Sequence, residues 1–346
     1  MPLQPGKERA STEVKRMQLG NGRTTACQAL VRSLLSPVLR TGYGLLGQSV
    51  RGRIGAIASA GAVYRQFLKP LLFSPRVDQG LVLTRFSDFA IYVDIKDMPG
   101  ALSLGRPWEP TTTAVFRKVV GLGDVVIDVG AHWGYYSVLA ATLCGEAGKV
   151  FAFEPHPVSY ALLARNIAAN GLRNTVAVQK AVSDRSATAE LFLSSNSLGH
   201  SLVHEPLEWQ PPAATFQQSI MVETVTLDEF FSTSGVRPRL LKMDIEGAEP
   251  LALRGMERLI GRNPQMAIIL ELNPHYLDAY AAKDLLKKLA FSGLEFLVID
   301  EATEQALPAS CEGTIHQFLS LQRGRVLNLF CTREQELIAG LAKTCN

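Results

Sequence analysis

Cysteine is scarce in this chain and forms no pattern. Five of the 346 residues are Cys, at positions 27, 144, 311, 331 and 345. The number is odd and no pair is spaced C-x-x-C, so there is no zinc or redox signature. Cys144 follows an apolar helical run and reads as a buried thiol. A reducing, cytoplasmic setting fits. Long apolar runs are missing as well. Residues 1–20 are polar and have no signal-peptide core. The uncharged stretches between Arg40 and Arg51 and between Arg53 and Arg65 are about ten residues long, against the roughly twenty a membrane helix needs. No transmembrane helix is expected. There is no internal repeat and no low-complexity tract. The net charge, +3, is slight.

Hydrophobic residues make up 47% of the chain and charged residues 19%, the composition of a folded, well-buried protein. The charge is unevenly spread. Residues 1–80 hold 12 Lys or Arg against 3 Asp or Glu, and the remainder holds 23 against 29. A basic head on a mildly acidic body suits an anionic partner such as a membrane surface or nucleic acid, or is a solvated tail. Residues 1–25 read as disordered. In residues 26–73, Leu30, Val31, Leu34, Leu35, Val38 and Leu39 recur at near-helical spacing, and Pro37 and the glycines of 42–61 interrupt it. The favoured reading is a helical cap. The alternative is an interfacial amphipathic segment making peripheral membrane contact, with its Arg stems snorkelling. The expected division is a basic N-terminal extension, 1–79, and a catalytic domain, 80–346.

From Gly80 the pattern changes. Leu81–Thr84 and Phe89–Asp94 read as a β-hairpin, and Thr111–Val120 as a helix. Strands are expected at 125–129, 149–153, 175–182, 239–243, 266–271 and 295–299, with helices at 134–143, 157–169, 248–260 and 279–290. Further strands are expected at 187–193 and 221–225, around a long loop at 194–219. This alternation predicts an α/β fold with a mostly parallel sheet covered by helices on both faces. A connection as long as 194–219 is usually functional or flexible.

The densest signal is Val125-Val126-Ile127-Asp128-Val129-Gly130-Ala131-His132-Trp133-Gly134, followed by Phe151-Ala152-Phe153-Glu154-Pro155. A strand ends in an acid and a glycine turn, a helix begins, and a second strand ends in another acid. Rossmann-like folds hold nucleoside cofactors this way, at the carboxyl edge of the sheet. Gly130 permits a sharp turn, and Gly134 allows close approach at the helix start. The N–H groups of the helix that follows suit a carboxylate. Asp128 would then face an ammonium. An acid there is unwelcome to a phosphate, and the turn lacks G-x-G-x-x-G, so S-adenosylmethionine (AdoMet) fits better than NAD. Glu154 would accept from both ribose hydroxyls. Asp184, with Ser183 N–H nearby, would meet the adenine amino group. Taken together, the cofactor candidates are Asp128, Gly130, Ala131, Gly134, Glu154, Ser183 and Asp184.

The stretches VVIDVGAHWGYYSVLAA, KVFAFEPHPVSYALLARNIAANGL, VAVQKAVSD, TLDEFF and LLKMDIEGAEPLALRG resemble the FkbM-type AdoMet-dependent methyltransferases, over about residues 81–275. The resemblance implies a seven-stranded class I methyltransferase fold and methyl transfer, usually to a hydroxyl of a sugar or natural product. It implies cofactor roles for Asp128, Gly130, Gly134, Glu154 and Asp184. His132-Trp133 departs from the more usual Asn-Ile or Asn-Val. Residues 1–80 are not covered.

Methyl transfer to a hydroxyl needs in-line positioning and a group to remove the proton. Asp244, Glu246, Glu271 and His275 are the candidates, each at or just beyond a strand's carboxyl end. Glu249, in a first helical turn, reads as structural. No metal is assigned. The acceptor is expected to be a small molecule or glycan rather than nucleic acid, since no N-P-P-[YF]-type motif is present. The alternatives are an AdoMet- or glycan-binding module without turnover, and an RNA or protein methyltransferase.

Overall fold

The computed structural model describes residues 80–94, 107–194, 199–203, 218–321 and 325–344. The expected extension at 1–79, its disordered start, its helical remainder and its membrane-facing alternative lie outside the described residues. No helix among the described residues is long and apolar enough to cross a membrane.

A hairpin of β1 (Leu81–Arg85) and β2 (Ala90–Asp94) comes first, then α1 (Pro110–Val119). The alternating region follows: β3 (Val125–Val129), α2 (Tyr135–Cys144), β4 (Lys149–Phe153), α3 (Pro157–Ala169) and β5 (Thr175–Val178). Next are β6 (Ala181–Val182), β7 (Thr188–Leu193), β8 (Gln218–Val225) and the single turn α4 (Leu227–Phe230). The second half holds β9 (Leu240–Met243), α5 (Glu249–Arg254), α6 (Glu257–Arg262), β10 (Ala267–Leu272) and α7 (Ala279–Phe291). Then come β11 (Glu295–Asp300), β12 (Gln305–Ala309), α8 (Cys311–Leu319), β13 (Leu327–Thr332) and α9 (Gln335–Thr344).

The main sheet has eight strands in the order β12-β11-β13-β10-β9-β3-β4-β5. From β5 to β10 neighbours are parallel. β13 is antiparallel to both β10 and β11, and β12 closes the edge antiparallel to β11. The expected seven strands therefore run from β5 to β11, and β12 is an eighth. Alternate residues feed two cores. Ile127, Val129, Leu241, Met243, Ile268 and Leu270 pack with α5 to α8, while Val126, Leu240, Ile269, Leu297 and Phe330 pack with α1, α2 and α9. Burial on both faces makes these strands read as continuous apolar runs.

Two of the expected elements are each divided in two. The strand expected over 175–182 is β5 and β6, and β6 joins a separate three-stranded sheet of order β6-β8-β7. The helix expected over 248–260 is two helices. A Cβ at Gly255 would overlap the Ser183 carbonyl oxygen, so the helix breaks where the chain after β6 crosses it. Asp228 then caps the second piece, accepting from Arg258 N and Leu259 N at 3.0 and 2.7 Å. The hairpin is docked by amides rather than by a strand. Asn166 of α3 and Asn170 just beyond it donate to and accept from the backbone of Tyr92 and Ala90 respectively.

Candidate functional site

Strand β3 has β4 on one side and β9 on the other, so the connections leave it in opposite directions and open a crevice at its carboxyl end, the usual ligand position in such sheets. A cleft lies there, lined by Gly130, His132, Phe153, Glu154, Lys180, Ala181, Val182, Leu191, His200, Leu202, Asp244, Ile245 and Glu246 among others. Of the sequence candidates it gathers Gly130, Glu154, Asp244 and Glu246. Gly130 sits at φ +80, and a Cβ there would overlap the Asp244 carbonyl oxygen. Glycine is thus required where the β3 turn passes the end of β9.

The remaining cofactor candidates lie elsewhere. Gly134 has φ +90, and a Cβ on it would meet Leu163 Cδ1 at 2.6 Å. Its smallness admits α3. Ala131 packs with Ala152 and Leu163, and its N–H donates to Phe153 O at 2.9 Å. The cleft lining takes in His132 but no residue of α2. Asp128 is 1% exposed and accepts from Ser137 Oγ at 2.5 Å. It lies beneath α2, off the cleft surface, where burial pushes its carboxyl upward against the pull of Lys242. Ser183 N–H donates to Val225 O. Asp184 pairs with Arg254 and Arg185. Both lie outside the cleft lining, and Lys180, Ala181 and Val182 take that place.

Glu154 is built into the cleft wall by main chain alone. Its Oε2 accepts from His132 N at 2.8 Å and its Oε1 from His156 N at 2.9 Å. His132 reaches that geometry in the left-handed region, at φ 49. Burial pushes the Glu154 carboxyl up to about 7, opposed by the two N–H groups. A carboxylate has about four acceptor directions, so two remain for hydroxyl donors from a ligand. These features fit a ribose.

The opposite wall is made of side chains. Asp244 N–H donates to Val129 O, and Lys242 Nζ donates to Asp244 Oδ2 at 3.0 Å. Glu246 sits at φ 51; its Oε2 accepts from Asn273 Nδ2 at 2.9 Å. Asp244, Glu246 and Glu271 each offer an oxygen within 4.8 Å of the others. Burial first, then the charge of Asp244, holds the carboxyls of Glu246 and Glu271 well above the usual range. His275 lies outside the cleft lining, its N–H held by Asn273 Oδ1 at 3.0 Å. Glu249 ties the turn by accepting from Ile245 N at 3.1 Å, in keeping with a structural role.

Several site residues have no motif. Glu109, before α1 at φ 43, accepts from Tyr136 Oη at 2.8 Å and from Asn328 Nδ2 at 3.1 Å. Lys242 is 5% exposed, with Nζ 4.7 Å from the Tyr136 ring centre. Residues 199–203 bridge the two walls. Ser201 and Phe192 exchange backbone hydrogen bonds, and Ser201 Oγ donates to Glu246 O at 2.6 Å. His200 Nδ1 accepts from Ser194 N, and its ring centre lies 4.5 Å from that of His156. The one signal in the sequence is Lys242, which interrupts the otherwise apolar β9.

Residues 128–296 match the family model described as the methyltransferase FkbM domain. These residues, just under half of the chain, thus carry the features of an FkbM methyltransferase domain. Over 134 residues the chain is 25% identical to the hexuronic acid methyltransferase AglP of Haloferax volcanii, covering 38% of this chain and 50% of that protein. The chain thus spans about half the length of this curated relative. Among solved structures, a putative rRNA methylase from Clostridium thermocellum aligns over 64% of this chain and 92% of its own, with TM-score 0.41 and 10% identity. A putative methyltransferase from Streptococcus mutans, solved with SAH, aligns over 64% and 94%, with TM-score 0.38 and 9% identity.

Proposed function

We propose that this chain transfers a methyl group from AdoMet to a hydroxyl of a sugar, glycan or natural-product small molecule. The observation that carries the reading is the pairing of Glu154 and Asp244 on opposite walls of one cleft, with Gly130 between them. AdoMet, when bound, supplies an electrophilic methyl on a sulfonium. Glu154 then accepts the ribose hydroxyls. Ala181, Val182, Leu191 and Leu202 offer an apolar side for a base. Asp244 faces the acceptor and takes its hydroxyl proton, while Glu246 and Glu271 stand beside it. The family supports methyl transfer. The hexuronic acid methyltransferase relative supports a sugar acceptor. In this reading residues 80–346 are the methyltransferase domain, and the basic residues 1–79 are an appendage with an anionic partner such as a membrane surface.

The test is transfer of labelled methyl from AdoMet to a panel of neutral sugars, uronic acids and polyketide alcohols. Label in an O-methyl ether, lost in D244N, supports the reading. Label that appears only in RNA or protein, or none in any acceptor despite cofactor binding, overturns the acceptor class or the turnover.

A further inference from the structure

The sheet face covered by α1 and α2 carries a polar row where a core is expected. Asp128, Lys242, Glu271 and Asn328 stand on four neighbouring strands. On the same face, the next position of each strand is the buried Val126, Leu240, Ile269 or Phe330. Asp128 is the register partner of Lys242, and Glu271 that of Asn328. Glu109 and Tyr136 close the row from α1 and α2, and Asp244 and Glu246 adjoin it from the cleft. Five carboxylates, those of Glu109, Asp128, Asp244, Glu246 and Glu271, feel the charge of the Lys242 ammonium. A buried charge persists only when opposite charge and hydrogen bonds replace its water. Oxygen clusters of this density are commonly met by a divalent ion. In this chain a side chain already stands among them. Its Nζ bonds Asp244 at 3.0 Å and lies against the Tyr136 ring, which favours a cation.

We propose that Lys242 is the resident cation of the acceptor wall. It is a positioning residue that holds Asp244 in place and supplies the positive charge a divalent ion would otherwise bring, so that methyl transfer by this chain needs no metal. The proposal rests on reading the cleft as a methyl-transfer site. The Asp244 main chain is fixed by its N–H to Val129 O, and Lys242 orients the carboxylate that follows. Removing the ammonium leaves the carboxylates without their internal counter-charge, and they become a site for a free divalent cation.

The experiment uses the full chain as wild type, K242M, K242R and K242M/E271Q. Mn²⁺ binding is read at pH 8 from loss of the free-ion electron paramagnetic resonance signal, and S-adenosylhomocysteine binding is titrated on the same samples. Wild type and K242R should leave Mn²⁺ free up to about 1 mM, a weak range for a protein cation site. K242M should bind it at least about tenfold more tightly, and adding E271Q should undo the gain. S-adenosylhomocysteine affinity should be unchanged throughout, because Lys242 does not line the cleft. Tight Mn²⁺ binding by the wild type would make a metal the resident cation and overturn the proposal. So would a folded K242M with no gain. If K242M does not fold, the wild-type and K242R titrations still decide between lysine and metal. Failure of S-adenosylhomocysteine to bind any sample would strike the methyl-transfer reading and leave the Mn²⁺ result standing on its own.

Discussion

The two walls of the cleft are built by different means. On the β4 side a single acid, Glu154, is fixed by two backbone N–H groups, from His132 and His156. On the β9 side, three acids within 4.8 Å of one another are fixed by side chains, Lys242 on Asp244 and Asn273 on Glu246. A wall made of main chain is rigid and tolerates changes of neighbouring side chains. A wall made of charged side chains is adjustable, and each member depends on the others. The first suits a constant ligand such as a cofactor. The second suits an acceptor and a proton.

This contrast is open to attack, the largest effect first. D244N should lower turnover about 100- to 10,000-fold, the usual range for a lost proton acceptor, with S-adenosylhomocysteine affinity retained. Initial rates and calorimetry on the same preparation check the split, and a parallel loss of affinity would merge the two walls into one. G130A should destabilise the fold by on the order of 3 kcal/mol, since it adds a methyl at positive φ against the end of β9; urea unfolding reads it. A wild-type midpoint would mean that the β3 turn and β9 do not meet as described.

E154A should weaken S-adenosylhomocysteine about 10- to 100-fold, as expected for lost hydrogen bonds to a charged group, and leave the acidic wall intact. The pH dependence sharpens this. The Glu154 carboxyl is pushed up to about 7 from 4.5, so the folded state holds an extra proton between those values. Its contribution to stability is fully present below about pH 4.5 and lost as pH rises through about 7. Cofactor binding runs the other way. Ribose hydroxyls need the ionised carboxylate, so affinity should rise severalfold from about pH 6 to pH 8, and E154Q should flatten the curve. A flat wild-type curve would take Glu154 out of the ribose site. The smallest effect should be that of S201A, which removes the donor to Glu246 O and costs about 1 kcal/mol. A stability curve that does not move would show that residues 199–203 do not join the walls.

The same contrast explains what the sequence revealed. The backbone-built wall was legible because a glycine turn and an acid at a strand end recur at a fixed offset, so Gly130 and Glu154 fell where the spacing put them. The spacing did not tell which glycine lines the cleft: Gly130 does, and Gly134 meets Leu163 of α3. Nor did it tell which strand-end acids face inward. Asp128 points under α2, and Asp184 turns to Arg254 and Arg185. On the other wall, Asp244, Glu246 and Glu271 were legible as acids at strand ends. Their partners Glu109, Tyr136 and Asn328 were not, because they come together only when α1, α2 and β13 pack on one sheet face. β12, α8, β13 and α9 carry no motif and were missed for the same reason. Long elements with clear periodicity, such as α3 and α7, fell within a residue of their expected ends.

The most direct test of the central claim is isothermal titration of the purified chain with S-adenosylhomocysteine, with NAD as the comparison ligand. The account predicts micromolar binding of the first and none of the second, with the first lost on E154A. No binding of S-adenosylhomocysteine, or binding indifferent to Glu154, would contradict it.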